Sequence, residues 1–204
     1  MTASASKPLN FRKSEGAYAE YHRSGSKKAY KIAKALAATG YGVITGGGGG
    51  IMEAANRGAF EARGDSIGIN VILPNEQQLN SYCTKSQTLN SLSERKNALI
   101  KDSFAFIIFP GGFGTLDEAF EVITLAQARL RDHKVIFVQR DFWTPLFNFL
   151  DNLANLGLVN KNSYYAADNI DEIMDILLLR QRIRKMVLIV GTGILLDCFN
   201  EVIV

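Results

Sequence analysis

Cysteine is scarce in this sequence. Two of the 204 residues are cysteines, Cys83 and Cys198, and neither belongs to a Cys-x-x-Cys or Cys/His spacing that holds a metal. This usage is typical of a reducing compartment and argues against both a disulfide framework and a zinc site. A single domain of this length buries roughly 70% of the surface that its unfolded chain exposes, so it needs neither of these to hold a core. The fold can therefore be argued from the hydrophobic pattern.

A strong excess of one charge is also absent. The 23 Lys and Arg residues nearly balance the 20 Asp and Glu residues, and the two signs are interspersed along the chain. No basic stripe predicts a nucleic acid polymer as partner, and no polybasic cluster predicts a membrane surface. Residues 1–13 lack the apolar stretch of a secretory signal, and no uncharged segment approaches the roughly 20 residues of a membrane helix. We therefore expect a cytoplasmic protein with small molecules as its candidate ligands.

Helical and strand-like patterns alternate along most of the chain, after residues 1–14, which we expect to form a flexible tail. The apolar spacing predicts helices near residues 15–38, 51–63, 92–101, 116–130, 143–156 and 170–184. Short apolar runs predict strands near residues 41–45, 67–73, 104–109, 135–138 and 186–190. Such strands, separated by helices of ten or more residues, indicate a parallel sheet covered on both faces. We predict a doubly wound, Rossmann-like α/β domain over residues 15–185, followed by an atypical apolar segment over 186–204.

A run of five glycines, Gly46 to Gly50, lies where the first predicted strand turns into a helix. Glycine allows a backbone to approach a ligand closely, and the N–H groups at a helix start attract phosphate. The dinucleotide fingerprint GxGxxG would need a third glycine at position 51 or 52, which hold Ile51 and Met52, so an NAD site is excluded by the spacing. For this cluster alone, tight helix-to-strand packing explains the glycines as well as an anion site does.

A second glycine turn, Pro110-Gly-Gly-Phe-Gly-Thr-Leu-Asp-Glu118, follows another predicted strand. Both turns should open on the same edge of a parallel sheet and form a crevice there. Glu121 follows Glu118 on the same helix face, which places two carboxylates near a helix start. Such a carboxylate can stabilise positive charge on a sugar or activate water. Thr115 and Glu118 also match a capping box, in which Thr115 is the N-cap and the role is purely structural.

Two adjacent cations, Arg95 and Lys96, lie on the helix that leads into the strand before the second turn. Such pairs usually form a solvated helix face. Arginine is nevertheless favoured where a planar anion is recognised, so a functional role stays open on the charges alone.

Three segments in this order resemble the LOG (LONELY GUY) family: Gly46 to Gly58, then Arg95-Lys96, then the PGGxGTxxE pattern at Pro110 to Glu118. The resemblance covers about residues 30–181. It implies a Rossmann-like phosphoribohydrolase, which cleaves a nucleoside 5′-monophosphate, including cytokinin riboside monophosphates, into free base and ribose 5-phosphate. It also implies a homodimer with its active site near the interface.

The resemblance implies no cofactor and no metal. Proteins of this family are often labelled lysine decarboxylases, but nothing in this sequence marks a lysine as a pyridoxal Schiff base.

The resemblance assigns Arg95 and Glu118 as the catalytic pair. The positions that match substrate-binding residues, together with the glycines of the first turn, are Gly46, Gly47, Gly48, Gly49, Glu76, Lys96, Gly111, Gly112, Gly114, Thr115 and Glu121. We hypothesise that ionised Glu118 stabilises the cationic sugar or guides water to C1′, while Arg95 engages the nucleotide. The amides of the glycine turns would hold the 5′-phosphate.

The two ends of the sequence depart from that family. Its members usually begin with a β-strand that ends in a Gly-Ser turn, and nothing before Glu15 has a strand pattern. Met186 to Val190, followed by Gly191-Thr-Gly193, instead has the pattern of a strand and glycine turn where the family's chain is expected to end. This segment is an added strand, a sequence artefact such as a frameshift, or a strand that occupies the slot of the missing one. An empty slot would expose a sheet edge and put activity in doubt.

Two other functions stay open. A non-catalytic nucleotide or molybdenum-cofactor binding protein of the same fold would keep the glycine turns without needing Arg95 and Glu118. A structural dimer without a ligand would leave two convergent glycine turns unexplained. The presence of both Arg95 and Glu118 favours the enzyme.

Overall fold

The computed structural model describes residues 17–72, 78–178 and 186–191. The helices are α1 (Ala17–Ala38), α2 (Ile51–Glu61), α3 (Leu92–Lys101), α4 (Phe113–Gln127), α5 (Arg140–Asn155) and α6 (Ile170–Leu178), with a 3-10 turn at Lys161–Ser163. The strands are β1 (Gly42–Thr45), β2 (Ser66–Val71), β3 (Lys85–Leu89), β4 (Ala105–Ile108), β5 (Lys134–Val138), β6 (Tyr165–Ala167) and β7 (Met186–Val190). The predicted tail over residues 1–14, Cys198, Glu76 and the Thr192-Gly193 part of the last turn lie outside the described residues.

The strands form one seven-stranded sheet in the order β3-β2-β1-β7-β4-β5-β6. Each pair of neighbouring strands is parallel. The carboxyl ends of the strands therefore meet at one edge of the sheet, where ligands of such folds bind. The predicted Rossmann-like α/β fold is confirmed.

Helices cover the sheet on both faces, as the apolar runs predict. Along β4, Ile107 packs into a core with α1, α2 and α6, whereas Phe106 and Ile108 pack into a second core with α3, α4 and α5. Successive side chains of a strand point to opposite faces, so β4 is apolar at every position because both faces are buried.

Helices α1 and α2 pack closely through a glycine. A Cβ at Gly58 would overlap the carbonyl oxygen of Tyr30 and lie 3.1 Å from the backbone nitrogen of Lys34. Gly58, which is part of the segment that resembles the LOG family, therefore serves helix packing.

Strand β7 lies at the centre of the sheet. Val187 aligns with Val43 of β1 on one side and with Ala105 of β4 on the other. The side chains of Val187 and Ile189 are fully buried, and the Phe109 N–H donates to the Val190 carbonyl at 2.9 Å. Of the three interpretations of this segment, the structure agrees with a central slot, so Met186–Val190 is an integral part of the domain.

Two strands were not predicted, and both lie at the edges of the sheet. The residues of β3 are mostly exposed, and β3 pairs only with β2 among the described strands. At the other edge, β6 has three residues and pairs with β5. The polar, exposed residues of β3 form no apolar run, and the three residues of β6 are too few to form one, so the hydrophobic pattern revealed neither strand. Within the part of the chain that the structure describes, no helix has the length and apolarity to cross a membrane.

Candidate active site

The two glycine turns lie at the carboxyl edge of the sheet, as predicted. The first turn, Gly46–Gly50, follows β1, and the second, Pro110–Gly112, follows β4. Strands β1 and β4 flank β7, so the turns are two strand spacings apart, which is roughly 10 Å. The two turns therefore border one crevice over the end of β7.

Both helices that begin at the crevice lack a side-chain cap. Their N-cap residues are Gly50 for α2 and Gly112 for α4. Helix α3, by contrast, is capped by Ser91, whose hydroxyl accepts a hydrogen bond from the Glu94 N–H at 3.2 Å. The first N–H groups of an uncapped helix are available to an anion, and the helix dipole favours negative charge there.

Arg95 and Glu118 form a buried ion pair in this crevice. The Arg95 Nη1 lies 3.0 Å from the Glu118 Oε1, and the two side chains are 11% and 14% exposed. The Arg95 Nε also donates to the carbonyl of Ile69, near the end of β2, at 3.1 Å. The predicted catalytic pair is therefore brought together, and Arg95 does not belong to a solvated helix face.

The absence of a side chain at Gly46 leaves room for the Arg95 side chain in the crevice. A Cβ at position 46 would overlap the Arg95 Nη2 and lie 2.8 Å from the Met52 sulfur. The guanidinium therefore contacts the first turn with one side and Glu118 of α4 with the other. Arg95 links the two halves of the crevice.

Burial raises the pKa of the Glu118 carboxyl, and the neighbouring Arg95 offsets only part of this effect. A carboxylate removed from water is disfavoured unless it is paired, which explains both the direction and the need for Arg95. Perturbed titratable groups in a cleft are common at functional sites.

Lys96 lies between two carboxylates at the rim of the site. Its Nζ is 3.0 Å from the Asp117 Oδ2 and 3.0 Å from the Glu121 Oε2. Hydrogen bonds to Glu121 and Asp117 raise the pKa of Lys96. Lys96 and Glu121 were predicted from the sequence as site residues, whereas Asp117 was not, although Asp117 and Glu121 have the four-residue spacing of one helix face.

The capping-box interpretation of Thr115 is wrong. Helix α4 begins at Phe113, two residues before Thr115, because Gly112 takes the extended N-cap conformation. Thr115 lies buried in the first helical turn of α4, and a Cβ at Gly111 would overlap its hydroxyl oxygen. Glu118 is paired with Arg95 rather than with an N-cap amide. Gly112, beside it, has nothing within 4 Å of the position of a Cβ.

A buried polar cluster beneath the first turn was also missed. Its members are Thr45, Asn56, Ser66 and Asn80, each at most 9% exposed. The signal available in the sequence was the placement of polar residues at the end of the β1 apolar run and on the packed face of α2. Among the described residues, no group of three or more His, Cys, Asp or Glu side chains is placed to hold a metal ion.

The fold and the site define a Rossmann-like parallel α/β protein with paired glycine turns and a buried Arg–Glu pair at one sheet edge. A family model described as "Possible lysine decarboxylase" matches residues 52–181. This family contains the LOG proteins, and the chain belongs to it.

Curated relatives carry the LOG name. A probable cytokinin riboside 5′-monophosphate phosphoribohydrolase of Oryza sativa subsp. japonica, LOGL5, is 32% identical over 145 residues, which cover 67% of this chain and 58% of the relative. The cytokinin riboside 5′-monophosphate phosphoribohydrolase LOG1 of Arabidopsis thaliana is 28% identical over 146 residues, covering 67% of this chain and 68% of the relative. The chain thus spans less than two thirds of the rice relative's length.

Solved structures of similar fold include two proteins with a different role in their names. The molybdenum cofactor binding protein of Rippkaea orientalis has a TM-score of 0.59 at 25% identity, covering 76% of this chain and 87% of that one. The molybdenum cofactor carrier protein of Chlamydomonas reinhardtii has a TM-score of 0.55 at 19% identity, covering 77% and 88%. At 19% identity, the similarity to the Chlamydomonas reinhardtii protein shows a shared fold and nothing more.

Proposed function

We propose that this protein hydrolyses the N-glycosidic bond of a nucleoside 5′-monophosphate, of the AMP or cytokinin riboside monophosphate type. The products are the free base and ribose 5-phosphate. The observation that carries the proposal is the buried Arg95–Glu118 pair, which lies between two uncapped helix starts. The relatives named as phosphoribohydrolases support it.

The residue types suit the chemistry. Cleavage of an N-glycosidic bond builds oxocarbenium character on the ribose, which a nearby carboxylate stabilises. Ionised Glu118 supplies that negative charge or guides water to C1′. The guanidinium of Arg95 engages the nucleotide through donors that Ile69 and Glu118 do not use.

The phosphate is held by main-chain groups. The two predicted site cations already have carboxylate partners, since Arg95 pairs with Glu118 and Lys96 pairs with Asp117 and Glu121. The amides of the first turn and of Gly111, Gly112, Gly114 and Thr115 therefore supply most of the attraction for the 5′-phosphate. Lys96 and Glu121 complete the rim of the binding site.

The alternative is non-catalytic binding of a nucleotide or of a molybdenum cofactor, which the Rippkaea orientalis neighbour favours. A carrier needs the glycine turns but has no use for a buried carboxylate beside the sugar. The Arg95–Glu118 pair therefore favours the hydrolase over the carrier.

We further propose that the protein acts as a cytoplasmic homodimer. Phe113 is 90% exposed and Phe120 is 38% exposed, and their seven-residue spacing places them on one face of α4 beside the site. An exposed aromatic face is typical of a protein interface. Light scattering coupled to gel filtration should give twice the mass of 22.4 kDa, and a monomer would contradict this part of the proposal.

The experiment that tests the function uses AMP and a panel of other nucleoside monophosphates. Purified protein is incubated with each, and free base and ribose 5-phosphate are measured together. Release of both in equal amounts supports the hydrolase. Binding of a nucleotide without release of base supports the carrier instead.

A further inference from the structure

Four polar side chains lie buried beneath the first glycine turn and come from four separate segments. Thr45 ends β1, Asn56 lies in α2, Ser66 begins β2, and Asn80 precedes β3. Thr45, Asn56 and Ser66 are fully buried, and Asn80 is 9% exposed. Burial of such groups is unfavourable unless they are hydrogen-bonded.

These side chains satisfy one another through Asn56. The Asn56 Oδ1 accepts hydrogen bonds from the Thr45 hydroxyl at 2.6 Å and from the Asn80 Nδ2 at 2.9 Å. The Asn56 Nδ2 donates to the Ser66 hydroxyl at 2.9 Å, and that hydroxyl donates to the Asn56 carbonyl at 3.1 Å. The amide orientation of both asparagines is thereby fixed.

Asn80 also holds the backbone of the glycine turn. Its Nδ2 lies 3.0 Å from the carbonyl oxygens of both Gly47 and Gly48. Its backbone N–H donates to the Gly47 carbonyl at 2.8 Å. A single residue thus binds two successive carbonyls of the turn.

These hydrogen bonds from Asn80 determine which N–H groups of the turn are free to bind a ligand. In a trans peptide the N–H points opposite to the carbonyl, so turning the Gly47 and Gly48 carbonyls to Asn80 turns the Gly48 and Gly49 N–H groups away from it. Neither N–H donates to any residue that the structure describes. The Gly47 N–H, in contrast, donates to the Thr45 hydroxyl at 2.9 Å.

The turn and Asn80 require each other. Gly47 has a φ of 73°, a conformation that favours glycine. A Cβ there would lie 2.6 Å from the Leu79 Cδ1, next to Asn80, and 3.3 Å from the Cα of Gly68. The segment that carries Asn80 can therefore reach the Gly47 carbonyl only because position 47 has no side chain.

We infer that Asn80 is a positioning residue that aims the N–H groups of Gly48 and Gly49 at the 5′-phosphate of the bound nucleotide. The inference rests on the proposed function, because it takes the first turn as the phosphate site. Asn80 acts through the backbone and does not contact the reacting bond. It also leaves Gly47, one of the candidate binding residues, without a free amide.

Binding is measured by calorimetry in the Glu118→Gln background, where turnover does not obscure it, with AMP, ribose 5-phosphate and adenosine as titrants. Asn80→Ala and the isosteric Asn80→Asp should weaken AMP and ribose 5-phosphate about tenfold or more, the effect of losing a charge-assisted hydrogen bond. Adenosine, which lacks the phosphate, should bind as before. Asn155→Ala, an exposed asparagine of α5, is the control and should change none of the three.

A merely structural role of Asn80 predicts an equal loss for all three titrants, and that result, or no loss at all, overturns the inference. A second measurement needs no variant of Asn80. On addition of ribose 5-phosphate to the otherwise unaltered protein, the amide NMR signals of Gly48 and Gly49 should shift more than that of Gly47. The reverse order contradicts the inference.

The outcomes separate this inference from the hydrolase proposal. If the Asn80 variants lose binding of only the phosphate-bearing titrants, but the unaltered protein releases no base, the hydrolase proposal is overturned and the role of Asn80 stands. If the unaltered protein releases no base, and if neither it nor the Glu118→Gln protein binds AMP or ribose 5-phosphate, both proposals are overturned.

Discussion

The Arg95 guanidinium lies 3.0 Å from the Glu118 carboxylate, although 23 residues separate the two positions in the chain. Arg95 is on α3 and Glu118 is on α4, and β4 runs between these helices in the sequence. A pair buried in this way costs stability unless both charges are satisfied, so it is better explained by function than by folding.

We predict that the proposed activity requires the absence of a side chain at position 46. In Gly46→Ala, the new methyl group should displace the Arg95 guanidinium, whose flexible end can move without unfolding the protein. We expect kcat/KM to fall by about a hundredfold, the effect of misplacing a catalytic group by an ångström. Asn155→Ala, at an exposed position of α5, is the control and should keep its kcat/KM. A folded Gly46→Ala variant that also keeps its kcat/KM would contradict this role of Gly46.

The rate should fall at acidic pH earlier than an ordinary glutamate would cause. In the proposed mechanism ionised Glu118 is the active form, and burial raises the pKa of this carboxyl, so it becomes protonated at a higher pH than an exposed glutamate. Arg95→Gln should move the acidic limb of the pH profile further upward in whatever activity remains, because Arg95 lowers the pKa of Glu118. An acidic limb with its midpoint at or below the ordinary glutamate pKa of about 4.3 would disagree with the burial of Glu118.

The same carboxyl makes stability depend on pH. The pKa of Glu118 is higher in the folded protein than in the unfolded chain, so its contribution is complete below the unfolded pKa and is lost as the pH rises through the folded pKa. The free energy of unfolding of Glu118→Gln minus that of the unaltered protein should therefore be larger at pH 8 than at pH 4, so that the variant is relatively more stable at pH 8. Urea denaturation at the two pH values measures this difference, and the opposite trend would refute it.

Strand β7 should be essential to the core. Ile189 is fully buried at the centre of the sheet, and Ile189→Ala should lower the free energy of unfolding by about 2–5 kcal/mol. Leu156→Ala, at a position 72% exposed, should change it by less than about 0.5 kcal/mol. A change below about 1 kcal/mol at Ile189 would place β7 outside the core.

The sequence predicted the buried elements well, since α3 has the predicted bounds and the buried strands follow the apolar runs. These features depend on local periodicity, which a sequence displays directly. It failed for β3, whose residues are mostly exposed, and for β6, which has only three residues. It also placed the start of α4 too late, because a glycine N-cap carries no side-chain signal.

The site was predicted in its parts but not in its connections. The motif placed Arg95 and Glu118 together, and the structure brings them into contact. The hydrogen bonds of Asn80 reach residues 24 to 33 positions away in the chain, and no local pattern signals contacts at that range. Such contacts depend on how the elements pack, which only the assembled fold reveals.

The catalytic role proposed for Glu118 is tested by comparing two Glu→Gln variants with the unaltered protein. Glu118→Gln removes the charge of the buried Arg–Glu pair, whereas Glu61→Gln removes that of the Arg57–Glu61 pair, whose atoms are 2.8 Å apart outside the crevice. Release of base from AMP, or from the best substrate of the panel, is measured at saturation. We expect that Glu118→Gln folds and loses turnover while Glu61→Gln keeps it. A folded Glu118→Gln variant with an undiminished rate would show that Glu118 is not catalytic.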